Sequence, residues 1–448
     1  VPGASLRLGK GYSYDLINTE VLLSRLSVDR GDLVLPGGMR YRVLAVDLES
    51  DAMDAAALAK IVELAESGAT LVLGNRRPVR APGLDDYPQC DERVRRLAAR
   101  LWGGTEPSEK RRSLGQGEVF CDTPIDEALR AKGIERDFEG PWDYLHRRGE
   151  DLDVYFVAGS GQADCTFRVS GREPELWDPA TGRIREAVCY RPGDDGRTTV
   201  PLRLPENGSV FVVFRAPCKG DRLLSASGPD DGLEIEGRGE RGYRLSLWKQ
   251  GRYELASPKG QIALDVDDLP APRQIAGPWT VRFTPGWGAP ESSVFEKLIP
   301  WNEHPLEGIR FFSGSGTYRT TFELGDAEAA SLVKLHLGQV GNIATVRVNG
   351  RDLGAVWTAP WSIDLTGCVN AGRNELEIEV ANLWVNRLVG DSRLPPEKRL
   401  TRTNVRLFGP GEKFRAYQGF SPETPLTPSG LIGPVTLQFG RSVVQSSP

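Results

Sequence analysis

Several residue types and patterns are scarce in this chain of 448 residues, and each scarcity excludes a class of protein. The chain has 3 histidines and 6 cysteines, with no Cys-x-x-Cys pair and no cysteine near a histidine at the spacing of metal ligands. The sequence therefore indicates neither a zinc site nor a disulfide framework. Because no segment approaches about 18 consecutive apolar residues, we expect no transmembrane helix and no membrane partner.

The chain also lacks an excess of positive charge. Its net charge is −5, and its 56 lysines and arginines are interspersed with 61 acidic residues. A protein that binds phosphate backbones concentrates its basic residues on one face, so nucleic acid is not an expected partner. Scattered cysteines without a pairing pattern leave cytoplasmic, periplasmic and extracellular locations open.

Methionine is scarce too, and its placement bears on the extent of the chain. The sequence begins with Val1, and its 2 methionines are Met39 and Met53. The opening residues lack the charged and then apolar segments of a signal peptide. We interpret the chain as a piece of a longer protein, with processing of a mature protein as the alternative.

Residues 1–135 are predicted to form a flavodoxin-like α/β domain with a parallel sheet, because strand and helix patterns alternate there. The predicted order is strand Tyr41–Val46, a helix capped by Ser50 or Asp51 and ended by Gly68, strand Ala69–Gly74, and helices Cys90–Trp102 and Pro124–Lys132. Neither G-x-G-x-x-G nor G-x-x-x-x-G-K-[ST] follows these strands. We therefore predict no cofactor in this chain.

The rest of the chain is predicted to be β-structure. Residues 136–275 contain the strand patterns Asp153–Val157, Cys165–Val169 and Ser209–Phe214, which indicate a β-sandwich domain that ends in a linker rich in proline, glycine and aspartate. Residues 276–448 contain an alternating pattern, the turn Asn349-Gly350 and the strictly alternating run Glu375–Ala381. Short alternating strands joined by such turns are typical of an antiparallel jelly roll.

Two polar clusters are candidates for ligand binding. Asn382, Trp384, Asn386, Arg387 and Asp391 combine an indole, amides and a guanidinium, which suit the apolar face and the hydroxyls of a sugar. The alternative is a buried tryptophan with an Arg–Asp pair that holds a loop together.

The second cluster, His146-Arg147-Arg148, precedes the strand at Asp153 and is predicted to lie in a hairpin or loop. Its side chains either reach the rim of an active site or pack between domains. Glu303-His304 lies between two prolines and is predicted to be a plain structural loop.

Three phrases of the sequence together resemble glycoside hydrolase family 106, the α-L-rhamnosidases, in the part that follows their catalytic barrel. They are GKGYSYDLINTEVLLSRL from Gly9, WDYLHRRGEDLDVYFVAGS with the later ELWDPATGRIREA, and the jelly-roll phrase that contains EVANLWVNRLVGD. The jelly roll is similar to the galactose-binding-like, sugar-binding domain of glycoside hydrolase family 2. Because the second phrase belongs to the resemblance, His146 and Arg147 join Trp384, Asn386 and Arg387 as expected substrate-binding residues.

The resemblance implies a parent enzyme that hydrolyses terminal α-L-rhamnosides by inversion and a catalytic (β/α)₈ barrel that is missing here. Its acid and base would lie in that barrel, so we assign no catalytic residue to this chain. The implied partner is a rhamnose-containing glycan, and the implied parent leaves room for a calcium ion. The alternatives are a free-standing carbohydrate-binding module and a structural or oligomerisation module.

Overall fold

The structure is a computed structural model that describes residues 8–103, 110–239, 242–401 and 420–446. The chain divides into two compact units, Val1–Gly140 and Pro141–Pro448. The first unit combines helices with a parallel sheet, and the second is built almost entirely from β-strands. The predicted combination of an α/β part with β-sheet parts is therefore confirmed at this level.

The described residues of the first unit, 8–103 and 110–140, contain four helices and eight short strands. The helices are Thr19–Ser24, Ala55–Glu66, Gln89–Trp102 and Ile125–Ala131. The strands are Ser27–Asp29, Asp32–Val34, Arg40–Tyr41, Leu44–Val46, Thr70–Leu73, Arg111–Leu114, Gly117–Cys121 and Phe138–Glu139.

The sheet at the centre of this unit is parallel, as the alternation of strands and helices predicts. Leu44–Val46, Thr70–Leu73 and Gly117–Cys121 pair in parallel, and Arg111–Leu114 adds an antiparallel edge. Every residue of Thr70–Leu73 is buried, which suits a central strand with helices packed against it.

Two predicted boundaries in the first unit are wrong. The long helix begins after Asp54, whose carboxylate accepts hydrogen bonds from the backbone nitrogens of Ala56 (2.8 Å) and Ala57 (3.0 Å), and not after Ser50 or Asp51. The predicted strand Tyr41–Val46 is two strands, because Arg40–Tyr41 belongs to a separate antiparallel sheet. A run of β-favouring residues gives no sign of where the chain changes sheets.

The second unit contains 23 strands among its described residues, with three short α-helices and two 3₁₀ turns. The helices are Glu307–Arg310, Asp326–Ala329 and Val385–Ser392, and the 3₁₀ turns are Trp301–Glu303 and Pro396–Lys398. The strands are Asp143–Arg148, Asp153–Phe167, Arg172–Trp177, Ile184–Glu186, Arg191–Pro192, Thr198–Pro217, Ser225–Ser227, Leu233–Gly239, Gly242–Leu247, Gly251–Ser257, Gly260–Val266, Arg273–Gln274, Trp279–Phe283, Ser292–Phe295, Ser315–Leu324, Leu332–His336, Gln339–Gly341, Ile343–Val348, Arg351–Val356, Ser362–Asp364, Gly372–Ala381, Gly430–Gly433 and Thr436–Gln445.

Two long antiparallel strands, Asp153–Phe167 and Thr198–Pro217, form the centre of the first sheet of this unit. The sequence predicts Asp153–Val157 and Cys165–Val169 as separate strands, but the structure has one strand with an irregular register between Gly159 and Gly161. Glycines inside a strand pattern mark a bulge here, where the sequence suggests a break.

Two sheets share one hydrophobic core in the C-terminal part of the chain. One contains Ser315–Leu324, Gly372–Ala381 and Ile343–Val348 in adjacent positions, and the other is organised around Thr436–Gln445 and Leu332–His336. The buried residues Val281, Tyr318, Leu335 and Phe439 come from both sheets and belong to one cluster. This is a β-sandwich.

The hairpin at Asn349-Gly350 is confirmed. It joins Ile343–Val348 to Arg351–Val356, with φ of 51° at Asn349 and 78° at Gly350. Two left-handed residues are what a two-residue hairpin turn requires.

The sandwich also takes strands from an earlier part of the chain. Gly242–Leu247 pairs with Thr436–Gln445, and Leu233–Gly239 pairs with Gly242–Leu247 in turn. Both strands precede the boundary predicted at residue 275. The division into 1–135, 136–275 and 276–448 stays a prediction.

Candidate functional site

The helix Val385–Ser392 and the residues just before it carry the larger of the predicted clusters. This segment leaves the strand Gly372–Ala381 at Asn382, whose side chain accepts a hydrogen bond from the backbone nitrogen of Gly314 (2.9 Å) and donates one to the carbonyl of Phe312 (2.9 Å). Both ends of the amide are therefore engaged with a neighbouring loop. Asn382 fixes the direction in which the helix begins.

Asn386 is buried and binds a second loop. Its Nδ2 donates to the carbonyl of Thr427 (2.8 Å) and to Oγ of Ser429 (3.1 Å), and its Oδ1 accepts from the backbone nitrogen of Thr427 (2.8 Å). An amide with three such bonds has little capacity left for a ligand. This geometry favours a structural role for Asn386 over the predicted role in substrate binding.

Arg387 and Asp391 form a buried ion pair one helical turn apart, with 3.1 Å between Nε and Oδ1. Their side chains are only 6% and 4% exposed. The other carboxylate oxygen of Asp391 accepts hydrogen bonds from the backbone nitrogen (2.6 Å) and the hydroxyl (2.5 Å) of Thr401. Burial acts to raise the pKa of Asp391, but the bonds from Thr401 and Leu400 and the charge of Arg387 together lower it, so the carboxylate stays ionised.

The two terminal nitrogens of Arg387 have no hydrogen-bond acceptor among the residues that the structure describes. A Cβ placed on Gly288 would lie 3.1 Å from Nη1 of Arg387 and 3.3 Å from Cδ1 of Leu400. Nη1 therefore lies beside Gly288. Buried guanidinium groups normally have their donors engaged. Nε of Arg387 and Oδ1 of Asp391 are also buried without a hydrogen bond among the described residues, so the pair at 3.1 Å is an ion pair without hydrogen-bond geometry.

Trp384 lies directly before this helix, and 53% of its surface is exposed. Its ring meets that of Trp287 at a centroid distance of 5.0 Å and an angle of 68°. Trp287 lies between Gly286 (φ 85°) and Gly288 (φ 89°), two backbone positions that only glycine adopts readily. Its side chain is half-buried and packs against the hydrophobic core of the sandwich. Sequence reasoning did not name Trp287, although the glycines of the phrase PGWG indicate a turn.

His146 lies on the strand Asp143–Arg148, which pairs with Asp153–Phe167, and not in a loop. Its Nε2 lies 3.0 Å from Oδ1 of the buried Asp153, and its ring stacks on Tyr155 at 4.0 Å. Of the two predicted alternatives, a hairpin or a loop, the hairpin is confirmed, with His146 on its first strand and the backbone nitrogen of Gly149 closing its turn by donating to the carbonyl of Leu152.

Arg147 points away from this network and is exposed. Its Nη1 donates to the carbonyl of His146 (3.0 Å). The two residues that the sequence treats as a pair therefore lie on opposite faces of one strand, as neighbours in a strand must. Their predicted role at a substrate rim stays a prediction.

His304 lies at the end of the 3₁₀ turn Trp301–Glu303 and is buried. Its Nδ1 accepts a hydrogen bond from the backbone nitrogen of Leu306 (3.1 Å). Burial, with a smaller contribution from the charge of Arg310, lowers the pKa of this imidazole below its ordinary value of 6.5. The geometry agrees with a structural loop.

Metal ligands do not converge anywhere in residues 8–103, 110–239, 242–401 and 420–446, where no group of three or more His, Cys, Asp or Glu side chains could hold an ion. Within the same ranges, no helix has the length and apolar character needed to cross a membrane.

Comparison with known proteins relates the chain to glycoside hydrolases. A family model described as alpha-L-rhamnosidase, of glycoside hydrolase family 106, matches residues 3–192. A second model, described as a glycosyl hydrolase 2 galactose-binding domain-like family, matches residues 303–409 and so includes Trp384, Arg387 and Asp391.

Two individual proteins are similar over nearly the whole chain. The solved structure of a rhamnosidase from Novosphingobium sp. PP1Y is 32% identical, with a TM-score of 0.68, over 96% of this chain and 36% of that one. A putative beta-glucuronidase from Formosa agariphila is 24% identical over 95% of this chain and 53% of its own length. The chain thus spans about half of the one relative and about a third of the other.

These matches confirm the resemblance that the sequence phrases carry: residues 3–192 are similar to the α-L-rhamnosidases of glycoside hydrolase family 106, and residues 303–409 are similar to the galactose-binding-like domains of glycoside hydrolase family 2.

Proposed function

We propose that this chain is the C-terminal, non-catalytic part of a glycoside hydrolase whose parent removes terminal α-L-rhamnose by inversion. The observation that carries the proposal is the match to a solved rhamnosidase over 96% of this chain but only 36% of that enzyme. In this scheme the remaining part of the parent holds a (β/α)₈ barrel with the catalytic residues.

The chemistry of inversion gives a physical reason to place catalysis outside this chain. An inverting glycosidase needs two carboxyl groups roughly 6.5–9.5 Å apart, one protonated and one that activates water. Among the buried carboxylates of the described residues, Asp153, Glu173 and Asp391 each have an arginine nitrogen within 3.2 Å. The pKa of Asp391 is lowered by its hydrogen bonds and by the charge of Arg387, so this carboxyl is a poor proton donor.

The proposed role of the chain is support and substrate positioning. The flavodoxin-like layer and the two sandwiches, of which the second is a jelly roll, would buttress the barrel and complete the rim of its pocket. Among the five predicted substrate-binding residues, the exposure of Trp384 supports such a role best. Arg387 is buried in its pair with Asp391, and Asn386 and His146 are engaged within the protein.

The test is hydrolysis of an aryl α-L-rhamnoside by purified, folded residues 1–448, with an aryl β-glucuronide assayed in parallel because one relative is named as a putative glucuronidase. We expect no release of the aryl group from either substrate. Release that a single Asp or Glu substitution abolishes would place catalysis in this chain and overturn the proposal.

Two other functions make different predictions. A free-standing carbohydrate-binding module would bind sugar tightly and would have no parent enzyme. A structural or oligomerisation module would self-associate and bind no sugar, which sedimentation and sugar titration would reveal together.

A further inference from the structure

The sequence contains two Asn-Gly pairs, Asn207-Gly208 and Asn349-Gly350, whose side-chain surroundings differ. Both asparagines have a left-handed backbone, with φ of 55° at Asn207 and 51° at Asn349. An asparagine before glycine loses its side-chain amide readily, because the following backbone nitrogen has no neighbouring side chain to shield it. The two pairs share residue types and the sign of φ, so a difference in reactivity must come from what holds each asparagine side chain.

The side chain of Asn349 is held by three hydrogen bonds. Its Nδ2 donates to the carbonyl of Cys368 (3.2 Å) and to Oδ1 of Asn374 (2.9 Å), and its Oδ1 accepts from the backbone nitrogen of Glu375 (2.9 Å). Cγ of Asn349 can approach the nitrogen of Gly350 only if this amide turns away from its partners. The hairpin therefore protects Asn349 from reaction with the next residue.

The side chain of Asn207 is exposed and makes no hydrogen bond with the residues that the structure describes. It lies in the long strand Thr198–Pro217, whose regular pairing runs as far as Leu204 and resumes at Gly208. Asn207 thus belongs to a bulge and has no cross-strand partner in the described structure. Neither a hydrogen bond nor strand pairing at Asn207 opposes rotation of its amide toward Gly208.

The bulge also requires glycine at position 208. A Cβ placed on Gly208 would lie 2.6 Å from Cδ and 2.8 Å from the carbonyl oxygen of Pro205. Both distances are too short for a side chain, so the close approach of Pro205 selects glycine. The residue that makes Asn207 reactive is therefore the one that the geometry of the bulge demands.

We propose that Asn207 is a site of spontaneous deamidation in the folded protein and that Asn349 is protected. The backbone nitrogen of Gly208 gives up its proton and attacks Cγ of Asn207. The bond from Cγ to Nδ2 breaks, and the leaving nitrogen takes up a proton and departs as ammonia. Water then opens the five-membered imide at either carbonyl, which leaves aspartate or isoaspartate at position 207. Water is the only co-reactant, and no atom changes its oxidation state.

The modification adds a negative charge and leaves the fold intact. Asn207 has no side-chain hydrogen bond to lose in the described structure, and an unpaired stretch of strand accommodates the longer backbone of isoaspartate. The inference goes beyond the proposed function and is independent of it, because the reaction needs neither a sugar nor a catalytic barrel. Hydrolysis of an aryl rhamnoside would overturn the proposed function and would leave this inference standing.

The test is incubation of folded residues 1–448 in mildly alkaline buffer, followed by peptide mass spectrometry. The mass of each peptide reports the exchange of an amide for a carboxylate, and methylation by an L-isoaspartyl methyltransferase reports isoaspartate. We expect the Asn207 peptide to react about tenfold faster than the Asn349 peptide or more, because breaking the three hydrogen bonds adds to the barrier at Asn349. The rate at Asn207 should rise with pH, since the attacking nitrogen must lose its proton.

Two controls separate the effect of the fold from that of the sequence. In concentrated urea, where the hairpin and the bulge are lost, the two Asn-Gly pairs should react at similar rates. Asn207→Gln should abolish the reaction in its own peptide, because glutamine would have to form a larger ring, and should leave the rate at Asn349 unchanged. Circular dichroism establishes that this variant is folded.

Three results would overturn the proposal. They are equal rates at the two asparagines in the folded protein, a faster reaction at Asn349, and a rate difference that persists undiminished in urea. The last result would show that the flanking sequence, and not the hydrogen bonds of the hairpin, determines which asparagine reacts.

Discussion

At the scale of single residues, one short stretch of chain combines structural and surface roles. Asn382 and Asn386 are bound to neighbouring loops, whereas Trp384 lies between them and is exposed. The sequence presents all three as one sugar-binding cluster, because residue type alone does not reveal whether an amide is already engaged. Only the partners at residues 312–314 and 427–429 separate the roles.

Asn386 is expected to contribute to stability more than any exposed asparagine. Asn386→Ala leaves the backbone nitrogen and carbonyl of Thr427 and the hydroxyl of Ser429 without this partner. We expect a loss of about 2–4 kcal/mol in the free energy of unfolding, measured by urea denaturation. The control Asn370→Ala removes an exposed side chain and should change stability by less than about 0.5 kcal/mol. Equal effects of the two substitutions would contradict the structural role.

His304 should make stability depend on pH. Because burial lowers its pKa in the folded state, the folded protein favours the neutral ring, and this contribution is present above the ordinary value of 6.5 and lost as the pH falls toward the folded-state pKa. We expect His304→Asn to reduce the difference in stability between about pH 7.5 and about pH 5.5, since an amide can accept from Leu306 without titrating. Thermal unfolding at both pH values measures this difference, and an unchanged difference would show that His304 is not responsible.

At the scale of elements, features that adjacent residues determine could be predicted from the sequence, whereas contacts between distant residues could not. Asn349-Gly350 specifies its hairpin through two adjacent residues, and the alternation in Gly372–Ala381 specifies a strand with one buried face. Trp287 lies almost a hundred positions before Trp384, so no short sequence window contains both rings of this contact. The sequence left His146 in a hairpin or a loop for a related reason, since the pairing with a partner strand, and not composition, makes this segment a strand.

The hairpin turn gives a direct test of backbone conformation. Nothing lies within 4 Å of a Cβ placed on Gly350, so substitution there tests φ alone. Gly350→Val should destabilise the sandwich by about 1–2 kcal/mol in urea denaturation, because a β-branched residue is strained at positive φ. Gly350→Asn should lose clearly less, since asparagine tolerates this region. Equal losses for the two variants would mean that the turn does not hold Gly350 at φ 78°.

Glu173 and Arg238 connect two sheets of the second unit. Glu173 lies on Arg172–Trp177, Arg238 lies on Leu233–Gly239, and two N–O distances of 2.9 Å join them. Glu173→Gln should cost about 1.5–3 kcal/mol, because it removes the charged acceptor of two hydrogen bonds from Arg238 and leaves Glu186, at 3.6 Å, as the remaining counter-charge. The exposed pair Arg252–Glu254 provides the control, and Arg252→Ala should cost less than about 1 kcal/mol. The free energies of unfolding are measured by chemical denaturation. Equal losses in Glu173→Gln and Arg252→Ala would contradict the stabilising role of the Glu173–Arg238 pair.

At the scale of the whole molecule, the sequence predicted the combination of an α/β part with β-sheet parts, and the structure confirms it. It did not predict that Leu233–Gly239 and Gly242–Leu247 join the sheet of Thr436–Gln445, because the residues of a strand do not reveal which distant strand it pairs with. Neither composition nor periodicity indicates the function of the chain. The proposed function rests on the order of the three family-like phrases along the sequence, and the family matches support it.

The central claim is that this chain works as the supporting part of a larger rhamnosidase. The most direct measurement is the size of the protein in the organism that makes it, by immunoblot with an antibody against residues 141–448, with rhamnosidase activity followed across the same gel-filtration fractions. We predict a band larger than 49.1 kDa by at least a barrel of roughly 250 residues, together with activity. A single band at 49.1 kDa, separated from all rhamnosidase activity, would contradict the account.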